Sequence, residues 1–201
     1  MKALVTAFEP FGGERINASQ EAVAHLPARI DKLEIVTALL PTSYARSRAA
    51  LEVAIAQTWP EIVLCVGQAG ERAALCLERV AINLQDARSA DNDGAQPQDM
   101  PVIAGAPAAY FCTLPLKKTL AALRAAQLPA EISDSAGTFV CNHVFYCLMH
   151  YAATSERPFR GGFLHVPRLP RQRVRGAKAP AMKLEDIVRG MTIVLETANR
   201  A

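Results

Sequence analysis

The 201-residue sequence has no apolar stretch long enough to span a membrane. Its opening residues hold one lysine and a short apolar run ending at Phe8-Glu9-Pro10, without the hydrophobic segment and small-residue cleavage site of a secretory leader. These absences predict a cytoplasmic protein with no membrane partner. The five cysteines (Cys65, Cys76, Cys112, Cys141 and Cys147) are odd in number and form no CxxC pair, and several lie in apolar runs, a pattern of reduced thiols rather than of a disulfide framework. Charge of either sign is not in surplus: 20% of residues are charged and the formal net charge is +3, so the totals suggest neither a polyanion-binding surface nor an acidic tail. A phosphate-cradling glycine loop, a dinucleotide fingerprint, internal repeats and low-complexity linkers are also missing.

What is present is 51% hydrophobic residues in a chain of single-domain size, enough for one sizeable core, so one domain over residues 1–201 is expected. Short apolar runs alternate with helical patterns. Strands are predicted at Ala3–Thr6, Leu33–Leu39, Ile62–Val66, Val80–Ile82, Tyr110–Thr113, Ala130–Ser133 and Gly162–Val166. Helices are predicted over Ser19–His25, from Pro41-Thr42 through Gln57, and over Leu116–Ala126, Phe139–Ala153 and Lys183–Asn199. Residues 67–107 are the least regular, with a turn-rich stretch from Asp91 to Pro101. This alternation implies an α/β fold, a three-layer α/β/α sandwich around a mostly parallel or mixed twisted sheet. In such sheets ligands bind beyond the carboxyl ends of the strands, which is where Phe8, Phe11, Gln68 and His165 fall.

The run Gly137-Thr138-Phe139-Val140-Cys141-Asn142-His143 puts a cysteine where a turn hands over to a helix. With Thr138 as N-cap, Cys141 lies in the first turn, where free N–H groups and the positive dipole end favour a thiolate and can hold an oxyanion. The same residue also reads as a small buried apolar group. A nucleophilic cysteine needs a base, and the base needs a group to orient it. His25 and His150 fall near predicted helix C-termini, where the dipole explains them, and His143 points away from Cys141 on the helix. His165 closes the apolar run Gly161 to Pro167 at a strand end, as a base or as a satisfied core histidine. Glu78 abuts the predicted strand at Val80, as the orienting carboxylate or as an ion-pair partner of Arg79.

Four segments in order then resemble one family: Phe8-Glu9-Pro10-Phe11-Gly12-Gly13 with Asn17; Gly67-Gln68-Ala69-Gly70 leading to Glu78-Arg79-Val80-Ala81-Ile82-Asn83 and Asp86-Ala87-Arg88; Gly137 to His143; and Gly161 to Pro167. The chain resembles the pyrrolidone-carboxylate peptidases, cysteine exopeptidases also called pyroglutamyl peptidase I. The resemblance implies a catalytic domain with Cys141 as nucleophile, His165 as general base and acid, Glu78 as the carboxylate that orients the imidazole, and Arg88 assisting the oxyanion. It also implies a homotetramer, no metal or organic cofactor, and peptides with an N-terminal pyroglutamate as substrates. That residue is a flat neutral lactam, which suits apolar walls with few polar contacts. The implied walls are Phe8, Phe11, Thr42, Phe139 and Val140, with Asn17 and the main chain at Gln68 hydrogen-bonding the ring. Ser89-Ala90 stands where the family commonly has an apolar residue and proline, and Glu71 replaces a usual glycine; Ser89 is expected to make one wall more polar.

Two other readings compete. A thiol amidase acting on a different small amide would use the same three residues. A basic loop of Arg168, Arg171, Arg173, Arg175 and Lys178 could meet phosphates, but it lacks interleaved aromatics for base stacking, so no nucleic-acid partner is expected. A metal site from Cys141, His143 and His150 is poor on geometry, since the three do not share one helix face.

Overall fold

The computed structural model describes residues 1–172 and 179–201. Among these residues nine strands are present: β1 (Lys2–Phe8), β2 (Arg29–Ile30), β3 (Leu33–Leu40), β4 (Ile62–Gln68), β5 (Leu75–Glu78), β6 (Val80–Ile82), β7 (Ala109–Phe111), β8 (Ala130–Ser133) and β9 (Arg160–Val166). The helices are α1 (Ala18–Ala24), α2 (Ser47–Thr58), α3 (Leu116–Ala125), α4 (Val140–Thr154) and α5 (Leu184–Asn199). Seven strands form one mixed sheet in the order β2-β3-β1-β4-β9-β5-β8, while β6 and β7 make a separate antiparallel ribbon. Within the large sheet β5 runs antiparallel to β9 and β2 to β3; the other neighbours are parallel.

Side-chain parity along the strands builds two cores. Ala3, Val5 and Ala7 of β1, Leu64 and Val66 of β4, Leu75 and Leu77 of β5, and Leu164 and Val166 of β9 pack on the face covered by α1, α3 and α5. The alternate residues, among them Leu4, Phe8, Val63, Cys65 and Phe163, face α2 and α4. This three-layer sandwich is the architecture expected from the alternation of apolar runs and helices.

Three local expectations are corrected. Glu78 does not merely abut a strand at Val80: it ends β5, a strand absent from the sequence reading, and the chain leaves the main sheet between Glu78 and Val80 to form the ribbon. Helix α2 begins at Ser47 rather than at Thr42, because Asp91 accepts the Tyr44 N–H at 2.8 Å and holds residues 41–46 as a turn. Thr138 is not the N-cap of α4; Phe139 is, without a capping side chain, and the Thr138 hydroxyl donates instead to the Asp86 carbonyl at 2.7 Å.

Candidate active site

The chain runs from β1 to β3 on one side and returns to β4 on the other, so the strand order reverses between β1 and β4. At such a switch point the connections diverge to opposite faces and leave a crevice at the carboxyl ends. The β1–β4 ladder stops at the pair Thr6–Cys65, so the main chain at Gln68 has no strand partner on that side.

Cys141 is the second residue of α4. The first N–H to find a helical acceptor is that of His143, bonded to the Phe139 carbonyl at 3.2 Å, which leaves those of Val140, Cys141 and Asn142 at the open helix end. Asn142 fixes this end: its amide accepts from the Ile82 N–H at 3.0 Å and donates to the carbonyls of Ile82 and Leu84 at 2.9 and 3.0 Å. Beneath it, Gly67 of β4 provides the needed space, since a Cβ there would lie 2.9 Å from the Cys141 sulfur.

Glu78 and His165 occupy the sheet face directed at α4 because β5 and β9 pair antiparallel with Glu78 opposite Phe163 and Cys76 opposite His165. That register makes Glu78 and His165 diagonal neighbours. The His165 Nδ1–H donates to Glu78 Oε1 at 2.7 Å, in a pair that is almost completely shielded from solvent. The ion-pair reading for Glu78 with Arg79 is overturned, since Arg79 points outward to Asp134 at 2.9 Å. The charged partner is Arg72, whose Nη1 donates to the same Oε1 at 2.7 Å. The sequence reading missed Arg72; a lone arginine in an irregular loop carries no signal before the loop is folded.

The first-turn position does not by itself make Cys141 a thiolate. Burial, then the Glu78 carboxylate and Cys65, push its thiol up to about 12, against the lowering effect of Arg72. Among the described residues the Cys141 sulfur has no hydrogen-bond partner. Desolvation of the anion exceeds what the helix end supplies, so a thiolate has to arise together with a protonated neighbour.

A narrow void lies beside this sulfur, walled by Phe8, Phe11, Asn17, Thr42, Gln68, Phe139, Val140 and Cys141. Its volume is about 10 Å³, room for roughly one water and far below the usual ~300–1,000 Å³ of drug-sized sites, and four of its eight walls are phenylalanine or valine. Phe11 packs on Phe139 with centroids 6.1 Å apart, and Tyr44 meets Phe139 edge-on at 5.8 Å. The polar walls are largely held by the protein. Asn17 Oδ1 caps α1 through the Ser19 N–H, and its amide donates to the Glu9 carbonyl at 3.0 Å, an acceptor shared with the Thr42 hydroxyl at 2.9 Å. Gln68 Oε1 accepts from the Ala18 N–H at 2.7 Å and from Gln172 at 2.9 Å.

Other residues do not line this void. Arg88 is exposed, two residues beyond the Asp86–Thr138 link, and makes no side-chain hydrogen bond among the described residues. Ser89, Ala90 and Glu71 are also exposed and none borders the void, so Ser89 does not make a wall polar as expected. His143 is buried with its Nε2 3.7 Å from the Cys147 sulfur, and His150 meets the Tyr110 hydroxyl at 2.9 Å. Among the described residues no group of three or more His, Cys, Asp or Glu is arranged to hold a metal, and no helix is long and apolar enough to cross a membrane. Of the basic loop, Arg168 pairs with Glu14 and Arg171 with Glu21, while Arg173, Arg175 and Lys178 lie outside the described residues.

A family model described as pyroglutamyl peptidase matches residues 1–201. The chain belongs to the pyroglutamyl peptidase family. A pyrrolidone-carboxylate peptidase of Erwinia tasmaniensis is 52% identical over 188 residues, covering 93% of this chain and 87% of that protein. One from Alkaliphilus oremlandii is 46% identical over 198 residues, covering 98% and 93%. The crystal structure of Bacillus amyloliquefaciens pyroglutamyl peptidase I superposes with a TM-score of 0.96 at 42% identity, covering 100% of this chain and 97% of that one. Members of the family are cysteine peptidases, and a half-buried thiol beside a histidine–carboxylate pair is the chemistry that such a peptidase requires.

Proposed function

We infer that this chain is a cysteine exopeptidase that removes N-terminal pyroglutamate, acting as one catalytic domain over residues 1–201. The observation that carries this reading is the juxtaposition of the Cys141 helix end with a small phenylalanine-walled void, on the sheet face that holds the His165–Glu78 pair. The lactam ring enters this void as its aromatic walls move apart, and Asn17 and the main chain at Gln68 meet its polar atoms.

The Nδ1–H of His165 is committed to Glu78, so Nε2 is the nitrogen that exchanges protons. Cys141 transfers its proton to Nε2 as the sulfur attacks the carbonyl carbon joining pyroglutamate to the next residue. The new C–S bond pushes the carbonyl electron pair onto oxygen, where the N–H groups at the start of α4 hold it and Arg88 adds positive charge at the rim. Collapse of this intermediate breaks the C–N bond, and His165 gives its proton to the departing amine. Water then loses a proton to His165 as it attacks the thioester; pyroglutamate leaves and the thiol is restored. No step calls for a metal or an organic cofactor.

Five free cysteines suit a reducing cytoplasm, and the family resemblance supports a homotetramer; fractionation and light scattering test these two points. The main test is release of a reporter amine from pyroglutamyl amide and from prolyl amide under reducing conditions, with Cys141→Ala in parallel. The expected result is selectivity for the lactam of roughly 10⁴, as for a site that pairs with a ring carbonyl proline lacks, and loss of turnover in the variant. Comparable release from both amides would favour a broader thiol amidase instead.

A further inference from the structure

We propose that Arg72 is a positioning residue for the Cys141–His165 pair, balancing the charge of Glu78 so that the pair can form its thiolate–imidazolium state near neutral pH. This rests on the peptidase reading above. Arg72 lies in the loop between β4 and β5, and its guanidinium spans two elements. One arm donates to Glu78 Oε1 at 2.7 Å, the other to the Ser135 carbonyl in the β8–α4 connection at 2.7 Å. Glu78 is fully buried, and its second oxygen has no hydrogen-bond partner. Both strong donors therefore converge on one oxygen, the one that also orients His165.

The charge count gives Arg72 its role. With Arg72 in place, neutral Cys141 and His165 sit beside a balanced Arg72–Glu78 pair, and proton transfer from sulfur to imidazole keeps the cluster neutral. Without it, both states carry one unbalanced negative charge in a place where water does not reach Glu78. The remaining groups that face the pair do not replace it. Cys65 on β4 and Cys76 on β5 are thiols, and Glu131 on β8, which accepts from the Cys76 sulfur at 3.1 Å, is a further acid. Every one of these is neutral or negative, so among the described residues Arg72 is the cation in direct contact with Glu78 besides a protonated His165.

Removing a positive charge raises the proton affinity of both Cys141 and His165. The signature is an alkaline displacement, whereas a purely structural role would lower activity at every pH alike. The experiment compares the parent, Arg72→Gln and Arg72→Lys by the pH profile of kcat/KM on pyroglutamyl amide and by the pH dependence of iodoacetamide capture of Cys141. In Arg72→Gln both acidic limbs should move up by about 1 unit, the lower end of the range for a charge at contact distance because Arg72 is partly exposed, with kcat/KM down by up to about tenfold on the acid side of the limb. Arg72→Lys should restore the parent limbs even if kcat stays low. A Gln variant with unshifted limbs overturns the proposal, as does a Lys variant whose limbs move by as much as the Gln variant's. If Arg72→Gln does not fold, Arg72→Lys alone decides, since limbs displaced by half a unit or more with the charge retained would refute a charge role. Alkylation is read without substrate, so a parent that captures iodoacetamide normally but ignores pyroglutamyl amide would sink the peptidase reading and leave the charge role separately measurable.

Discussion

Gly67→Ala is the substitution whose outcome follows most directly from the packing. An alanine Cβ at this position would lie 2.9 Å from Cys141 Sγ and 2.9 Å from Phe163 Cζ, with Phe163 Cε1 at 3.1 Å. Comfortable carbon contacts are about 3.5–4.0 Å, so about 0.5–1 Å must be found by moving one neighbour. The ring is the harder to displace: Phe163 is 1% exposed and packs against Phe8 and Phe145 at centroid distances of 6.2 and 5.7 Å. Cys141 borders the void at a helix end, so the sulfur gives way. Overpacking of this kind costs about 1–3 kcal/mol, and each kcal/mol lowers Tm by about 2–4 °C in a chain of this size. A nucleophile displaced by the better part of an ångström should lose about 10²-fold in kcat, with KM changed little because the far walls of the void stay in place. Steady-state kinetics on pyroglutamyl amide and a circular-dichroism melt measure both quantities. Parent values of kcat and Tm would show that Gly67 does not support the thiol, and a lowered Tm with full kcat would show that the ring, not the sulfur, yields.

Glu78→Gln removes the charge that faces His165 Nδ1 while keeping the side-chain shape, so the imidazole loses its preferred tautomer; kcat should fall by roughly 10²–10⁴ in a protein that still folds by circular dichroism, and an undiminished kcat would remove Glu78 from the mechanism. His143 sits edge-on to Tyr44 at 5.5 Å, and burial, aided by Arg48, pushes its pKa down to about 4. An unfolded histidine titrates near 6.5, so the folded state binds fewer protons below that pH, and stability present above about pH 6.5 is lost as pH falls toward 4, by roughly 1–3 kcal/mol. Denaturant midpoints from pH 7 to 4.5 should show this decline, less steeply in His143→Leu; identical slopes in the two proteins would refute it.

Much of this was legible without coordinates because it is local. The alternation of apolar runs and helical patterns named the three-layer class, and the register of polar residues against apolar runs singled out Cys141 and His165 at element ends. Phe8, Phe11, Phe139 and Val140, named from the family resemblance, lie around one void in the structure, and their contact with substrate belongs to the proposal above. Less was legible where a residue's state depends on what packs against it. Strand β5 is a short apolar run inside the irregular stretch 67–107, and its partner β9 lies far along the chain, so the pairing that sets Glu78 diagonal to His165 could not be read beforehand. Thr138 has the chemistry of an N-cap, yet a distant carbonyl at Asp86 takes its hydroxyl.

The sequence by itself determined the kinds of group available and the elements that carry them, because propensity, parity and turn chemistry act over a few residues. Only the tertiary structure decided their energetics. Burial, then proximity of Glu78 and Cys65, raises the Cys141 thiol, the missing Cβ of Gly67 makes room for its sulfur, and Arg72 reaches Glu78 from a loop of no regular pattern. Charge interaction and desolvation depend on distance through space and on exclusion of water, and neither exists until the chain has closed around the site.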